Sequence, residues 1–148
     1  MLLPEEGFLL DLGCGYGPVG IVAASLRPKL HVIMADVNKR AVKLAVENAR
    51  RNNVEKNVEV RQGFLYEPVA NMCFDTIISN PPFSAGMKVV KPIITDAPKH
   101  LKKHGLFQIV VRSKIGRKIM RNLLEDTFGS AEVLARKSGY RVFITEKQ

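Results

Sequence analysis

Asp11-Leu12-Gly13-Cys14-Gly15-Tyr16-Gly17-Pro18-Val19-Gly20 follows an apolar stretch and opens a helix, and its reading decides the fold. Four glycines fall between positions 13 and 20. Glycine loses more freedom on folding than any other residue, so this density implies a backbone reason. The reason is a sharp turn and close approach to a ligand at a helix N-terminus. The run therefore predicts a nucleotide-like cofactor without saying which.

Working outward, strand and helix signals alternate along the whole chain. Phe8 to Leu12 reads as a short buried strand, Val19 to Leu26 as a helix stopped before Pro28, and His31 to Asp36 as a second strand. Asn38 caps a helix with apolar positions Ala41, Val42, Leu44, Ala45 and Ala49, which Asn52-Asn53 ends. Val58 to Arg61 is a third strand and Phe74 to Ser79 a fourth, broken by Asn80-Pro81-Pro82-Phe83. The spacing then predicts a helix from Lys88 to Lys103, kinked or split by Pro98 and ended by Gly105. Leu106 to Val111 is a fifth strand and Ile115 to Phe128 an amphipathic helix. Ala131 to Ala135 and Tyr140 to Thr145 form a hairpin around Arg136-Lys137-Ser138-Gly139. Repeated strand–helix–strand units imply a doubly wound, mostly parallel α/β sheet, to which the hairpin adds one antiparallel strand. Ligands of such sheets bind at the carboxyl ends of the strands, near the switch point.

Composition narrows the setting. A chain of 148 residues is one domain on length, and 46% hydrophobic with 25% charged residues is ordinary for a soluble globule. No apolar run is long enough to span a bilayer and no secretory leader is seen, so a cytoplasmic location is expected. Cys14 and Cys73 form neither a disulfide framework nor a metal spacing, and Cys73, beside an apolar strand, is expected to be a small core residue. His31, His100 and His104 are scattered, so no metal is expected. The net charge of +9 is common among proteins that touch nucleic acid, though a solvated lysine-rich surface carries it equally well.

Two cofactors compete for the glycine run. Gly15-Tyr16-Gly17-Pro18-Val19-Gly20 matches the G-x-G-x-x-G dinucleotide fingerprint, with Asp36 placed to hold a ribose. Pro18, however, removes an N–H that a pyrophosphate would use, and Asp11 favours a ligand with cationic groups. S-adenosylmethionine carries an ammonium and a sulfonium. Asp36 serves either cofactor, since its two acceptors can grip both ribose hydroxyls.

Asn80-Pro81-Pro82-Phe83 decides between them. Tandem prolines fix the backbone, remove two donors and leave carbonyls free to accept. The Asn80 amide oxygen and the Pro81 carbonyl can together accept both hydrogens of a planar exocyclic amine, aiming its lone pair at an electrophilic methyl group. Phe83 offers a face to a stacked base. No strong base is needed, because the nitrogen becomes acidic as it gains the methyl group; catalysis is alignment and acceptor preorganisation. A dehydrogenase has no use for this turn.

Together, the Asp11 to Gly20 run, strand-end Asp36 and Asn80 to Phe83 resemble class I S-adenosylmethionine-dependent methyltransferases of the amino-methylating type. With Phe128-Gly129 and Gly139-Tyr140-Arg141-Val142, they resemble more narrowly the methyltransferase small domain family, which includes small-subunit ribosomal RNA guanine-N2 methyltransferases and archaeal relatives. The resemblance implies a seven-stranded Rossmann-like sheet. It also implies a cofactor site of Asp11, Gly13, Gly15, Tyr16, Gly17, Asp36, Val37, Gly63, Phe64 and Asn80. The target amine would be held by Asn80, Pro81, Pro82 and Phe83, and the substrate would be guanine N2 of ribosomal RNA. Related Asn-Pro-Pro-aromatic enzymes also methylate adenine N6, cytosine N4 and the glutamine side chain of release factors. A protein glutamine N5-methyltransferase therefore stands as the alternative, beside an RNA-binding module of low activity. Two departures from the family pattern stand out. Gly63-Phe64 occupies the place where an acidic residue usually holds the adenine amine. The chain also begins about seven residues before its first strand, implying a single domain over 1–148 without the family's preceding segment.

The cations have a place in this reading. Lys114, Arg117, Lys118 and Arg121 share one face of the last helix, Arg112 follows the fifth strand, and Arg136, Lys137 and Arg141 cluster at the hairpin. They are expected to position RNA phosphates without reading sequence.

Overall fold

The computed structural model describes residues 1–112 and 114–148, excepting the side chains of 114 and 115; the expected phosphate contact at Lys114 lies outside the described residues. Seven strands form one sheet in the order β3-β2-β1-β4-β5-β7-β6. In chain order these are β1 (Glu6–Leu12), β2 (Lys29–Asp36), β3 (Val58–Gln62), β4 (Phe74–Ser79), β5 (Leu101–Val111), β6 (Glu132–Lys137) and β7 (Tyr140–Glu146). The helices are α1 (Pro18–Leu26), α2 (Lys39–Arg51), α3 (Met87–Thr95) and α4 (Lys114–Phe128). Strands β1 to β5 run parallel, and β7 is antiparallel to both β5 and β6. The doubly wound fold and its single antiparallel strand are as the sequence predicts.

Each face of the sheet has its own core. On one, α1 and α2 lay Ile21, Ala23, Ala24, Ala45 and Ala49 against Leu9, Val32, Met34 and Ile78. On the other, α3 and α4 bring Ile93, Ile94, Met120 and Leu124 onto Leu10, Ile77, Phe107, Ile109 and Phe143. The small residues of α1 allow close approach: a Cβ at Gly20 would lie 2.4 Å from Met34 Sδ. Burying a phenylalanine such as Phe107 contributes roughly 1.5–3 kcal/mol.

Three expectations need correction. The helix predicted over 88–103 stops at Thr95, a 3-10 turn covers Ala97–His100, and residues 101–103 already belong to β5. Pro98 has no N–H to continue the helix. Leu101 then pairs with Phe74, and the ladder shifts register before Thr76 pairs with Leu106. Gly105 sits in this irregularity rather than at a helix end, where a Cβ would meet Lys102 O at 2.8 Å. Pro92 lies inside α3. Cys73 is exposed rather than buried: it precedes β4, and Phe74 takes the core position. The hairpin is tighter than read, with only Ser138 and Gly139 between strands. Both have positive φ (46° and 83°), as a type I′ turn requires.

Candidate active site

The sheet switches direction between β1 and β4, which opens a crevice at their carboxyl ends. Ser79, at the end of β4, is buried, and its hydroxyl donates to Leu12 O at 3.0 Å, tying the two strand ends together. The glycine loop leaves β1 here. Gly13, Gly15 and Gly17 have φ of 75°, 58° and 97°, the left-handed region that disfavours side chains. A Cβ at Gly13 or Gly15 would meet nothing within 4 Å, so the loop presents bare backbone to open space.

Two carboxylates organise this loop. Asp36, at the end of β2, accepts from Gly15 N (2.8 Å) and from Asn38 N (2.9 Å), one bond on each oxygen. Each oxygen keeps acceptor capacity on its solvent side. Asn38 in turn caps α2, its side chain accepting from Arg40 N and Ala41 N. Asp11 is buried at the end of β1 and accepts from Gly20 N at 3.1 Å. Gly17 is the N-cap of α1 and carries no capping side chain, so the carboxylate of Asp11 substitutes from the neighbouring strand. Burial pushes the Asp11 pKa up to about 7, against the lowering effect of the Gly20 bond, and the charge of Asp36 adds to the rise. Burial first, then Asp11 and Asp36, raise the Cys14 thiol to about 12, which leaves it inert as a nucleophile.

A cavity of about 190 Å³ lies beside the loop. Gly13, Asp36, Val37, Gly63, Phe64, Asn80 and Pro82 line it, so seven expected site residues from four stretches of chain meet at one place. Val37 and Phe64 are exposed apolar side chains at its rim. Gly63 donates its N–H to Asp36 O, and a Cβ there would lie 2.4 Å from Pro68 Cγ, so packing as well as approach accounts for the glycine. Gly15, Gly17 and Tyr16 stand beside the cavity rather than in its wall; Tyr16 is exposed and its carbonyl accepts from Asn48 Nδ2. Asp11 is turned away toward α1, and Pro81 and Phe83 are likewise absent from the lining.

The Asn-Pro-Pro-Phe turn has a definite geometry. Asn80 is exposed, and its side-chain amide has no hydrogen bond among the described residues. Pro81 O accepts from Phe83 N at 3.0 Å and Pro82 O from Ala85 N at 2.9 Å, so each carbonyl has spent one acceptor site on the turn. Phe83 is half-buried against the core.

Five cavity residues carry no sequence signal of function: Leu12, Ala35, Leu65, Val89 and Ile93. Leu12 and Ala35 are legible only as strand-end neighbours of the glycine loop and Asp36. Val89 and Ile93 read as ordinary core positions of α3. Tyr66 carries no such signal either. Its hydroxyl donates to Ile93 O at 2.5 Å and its ring stacks on His100 with centroids 4.6 Å apart, tying the Gly63–Leu65 wall to the α3 wall.

The basic residues stand at the same end of the sheet. Ile109 is level with Ser79, so β5 continues two residues past the end of β4 to Val111, which pairs with Arg141. The β6–β7 turn thus rises roughly 7 Å beyond the Asn80 turn and roughly 10 Å to its side. Arg136 lies opposite Arg141 across the hairpin. Arg117 and Arg121 approach Arg141 from α4; partial burial and then Arg117, Arg136 and Arg121 lower its pKa. Arg121 lies over the Phe143 ring at 5.4 Å, and Arg112 over Tyr140 at 4.9 Å. Lys118 and Lys137 are exposed beside them. Among the described residues no cluster of histidines, cysteines and carboxylates could hold a metal, and no helix is long and apolar enough to cross a membrane.

A glycine loop after β1, a carboxylate at the end of β2 and Asn-Pro-Pro-Phe after β4, on this sheet order, define a class I S-adenosylmethionine-dependent methyltransferase domain. Comparison with known proteins narrows the class. The chain belongs to the methyltransferase small domain family, whose sequence profile matches residues 1–144. It is 40% identical over 146 residues to the uncharacterized protein YbxB of Bacillus subtilis (strain 168), covering 97% of this chain and 72% of that protein. It is 34% identical over 149 residues to ribosomal RNA small subunit methyltransferase C of Photorhabdus laumondii, covering 98% of this chain and 42% of that one. The chain thus spans less than half the length of this ribosomal RNA relative. Among solved structures, the 16S rRNA N2 methyltransferase RsmC of T. thermophilus, in complex with AdoMet and guanosine, superposes with a TM-score of 0.83 at 25% identity. That match covers 96% of this chain and 38% of the other.

Proposed function

We propose that this domain transfers the methyl group of S-adenosylmethionine to the exocyclic N2 amine of a guanine in ribosomal RNA. One observation carries the reading: the exposed Asn80 amide, without a hydrogen bond among the described residues, at the lip of the cavity that Asp36 and Gly13 line. In this reading Asp36 accepts from the ribose hydroxyls with its remaining acceptor capacity. Phe64 and Val37 cover the adenine, and the bare backbone at Gly13 and Gly15 lets the methionine portion approach. Asn80 Oδ1 and the remaining acceptor site of Pro81 O take the two amine hydrogens. That aims the nitrogen lone pair at the methyl carbon. The N–C bond forms as the S–C bond breaks, S-adenosylhomocysteine leaves, and the proton passes to solvent from the now acidic nitrogen. Alignment and preorganised acceptors supply the acceleration.

The basic hairpin and α4, standing above the same end of the sheet as Asn80, favour RNA over a protein substrate. Glutamine N5-methylation of a release factor would use the same two acceptors, so one assay separates the readings. Labelled methyl transfer is measured into unmodified ribosomal RNA and into a release factor. RNA labelling is expected, with Asn80→Ala lowering it at least 100-fold while calorimetry with S-adenosylhomocysteine stays within a few-fold of the parent. Transfer to the release factor alone, or full activity in Asn80→Ala, would overturn the proposal. Absence of cofactor-product binding would leave only the RNA-binding module.

A further inference from the structure

The hairpin makes a choice that folding alone does not favour. Arg136 and Arg141 sit directly opposite on adjacent strands, where like charges destabilise a sheet. Arg117 and Arg121 add two more positive charges to the same place from α4. The ion pairs of the described residues all lie elsewhere in the chain, so none of these four charges is neutralised by one. The Nε–H of Arg117 is buried with no hydrogen-bond partner among the described residues. A buried donor without an acceptor and four converging guanidiniums are costs that an anion with several oxygens relieves at once.

Beside this cluster, at the hairpin tip, Tyr140 is 37% exposed and carries the Arg112 guanidinium over its ring at 4.9 Å. An aromatic ring paired with a planar cation is a surface on which a base stacks, provided that the base is not already stacked in a helix. A duplex would offer phosphates to the arginines and nothing to Tyr140.

We propose that the arginine cluster between α4 and the β6–β7 hairpin grips the backbone of an unpaired RNA strand, one base of which stacks on the Arg112–Tyr140 pair. The proposal rests on the RNA reading above and deepens it. The target amine is delivered from a single-stranded segment that crosses the hairpin roughly two strand spacings from Asn80. Arg136, Arg141, Arg117 and Arg121 then set affinity, and Tyr140 sets the preference for unpaired RNA.

Fluorescence anisotropy with the full chain tests this, using an end-labelled RNA of about 12 nucleotides, its duplex, and an abasic strand of equal charge. The unpaired strand is expected to bind at least tenfold tighter than the duplex or the abasic strand. Tyr140→Ala should weaken it about tenfold and Tyr140→Phe should restore it, with melting curves showing both variants folded. The double variant Arg136→Gln, Arg141→Gln should lower the slope of log affinity against log salt by about 0.7 per lost phosphate contact. Equal binding of duplex and single strand, or a Tyr140→Ala variant indistinguishable from the parent, overturns the inference. Binding requires neither cofactor nor transfer, so a failure of the methylation reading would appear separately, as tight single-strand binding without RNA labelling.

Discussion

Asp11 shows how far a single residue can be read. Its acidity and its position before the glycines are plain in the sequence, and they point toward a cationic ligand. The structure instead turns the carboxylate onto Gly20 N–H, where it caps a helix whose own N-cap is glycine. Only the direction of the side chain was hidden, because direction depends on how α1 packs over β1. The burial has a consequence for pH. The folded pKa of about 7 lies above the ordinary carboxylate value of 3.8, so the native state holds a proton that the unfolded chain has released. This contribution to stability is fully present below about pH 4 and is lost as the pH rises toward 7. Asp11→Asn removes that titration while keeping an acceptor for Gly20 N–H. Thermal melts between pH 4 and 8 should show the variant gaining on the parent across this window. Parallel curves would mean that Asp11 titrates normally.

At the scale of elements, what escaped the sequence is the joint between α3 and β5. Lys102-Lys103-His104-Gly105 lacks the alternation of a strand, and Pro92 and Pro98 lie in a run of otherwise helical residues. Long-range pairing of Leu101 with Phe74 decides the matter, and no local pattern reports it. The same region holds the clamp that no motif announces. Tyr66 fixes the wall after β3 to α3 by donating to Ile93 O, an acceptor in the last turn of a helix, where carbonyls lose their own partners. Burial, and secondarily the charge of Asp96, push the phenol pKa up, which keeps the hydroxyl protonated as a donor at neutral pH. Tyr66→Phe keeps the ring on His100 and strands the carbonyl, at a cost of about 1–3 kcal/mol. Since the hydroxyl joins two walls of the cavity, the variant should also bind S-adenosylhomocysteine several-fold more weakly by calorimetry. Lost stability with unchanged binding would make Tyr66 a core residue and nothing more.

For the whole molecule, the doubly wound, mostly parallel sheet was legible from its alternating strand and helix signals, and the end that carries chemistry because glycine, carboxylate and Asn-Pro-Pro-Phe signals each sit at a strand end; the strand order itself was not. The apolar floor from Leu65, Val89 and Ile93 was not, since its residues are chosen by packing and look like any core. The same distribution yields a last expectation. One small cavity is lined from β1, β2, the segment after β3, the turn after β4, and α3, so a ligand there joins five parts of the chain. A ligand bound only by the native state at 100 times its Kd stabilises it by about 2.7 kcal/mol. For a domain of this size that corresponds to a rise in Tm of roughly 5–10 °C. Phe64 is the residue with which to test where the ligand sits. It is 47% exposed at the rim, so Phe64→Ala should leave the Tm of the free protein within about 1 °C, as exposed positions generally do. It should also remove much of the rise that S-adenosylhomocysteine produces, because a stacked adenine loses its cover. Asp36 could not serve for this test, since its carboxylate also holds Gly15 and Asn38. A full ligand shift in Phe64→Ala would place the adenine away from this wall, and no shift in the parent at millimolar ligand would mean that the cavity does not take the cofactor.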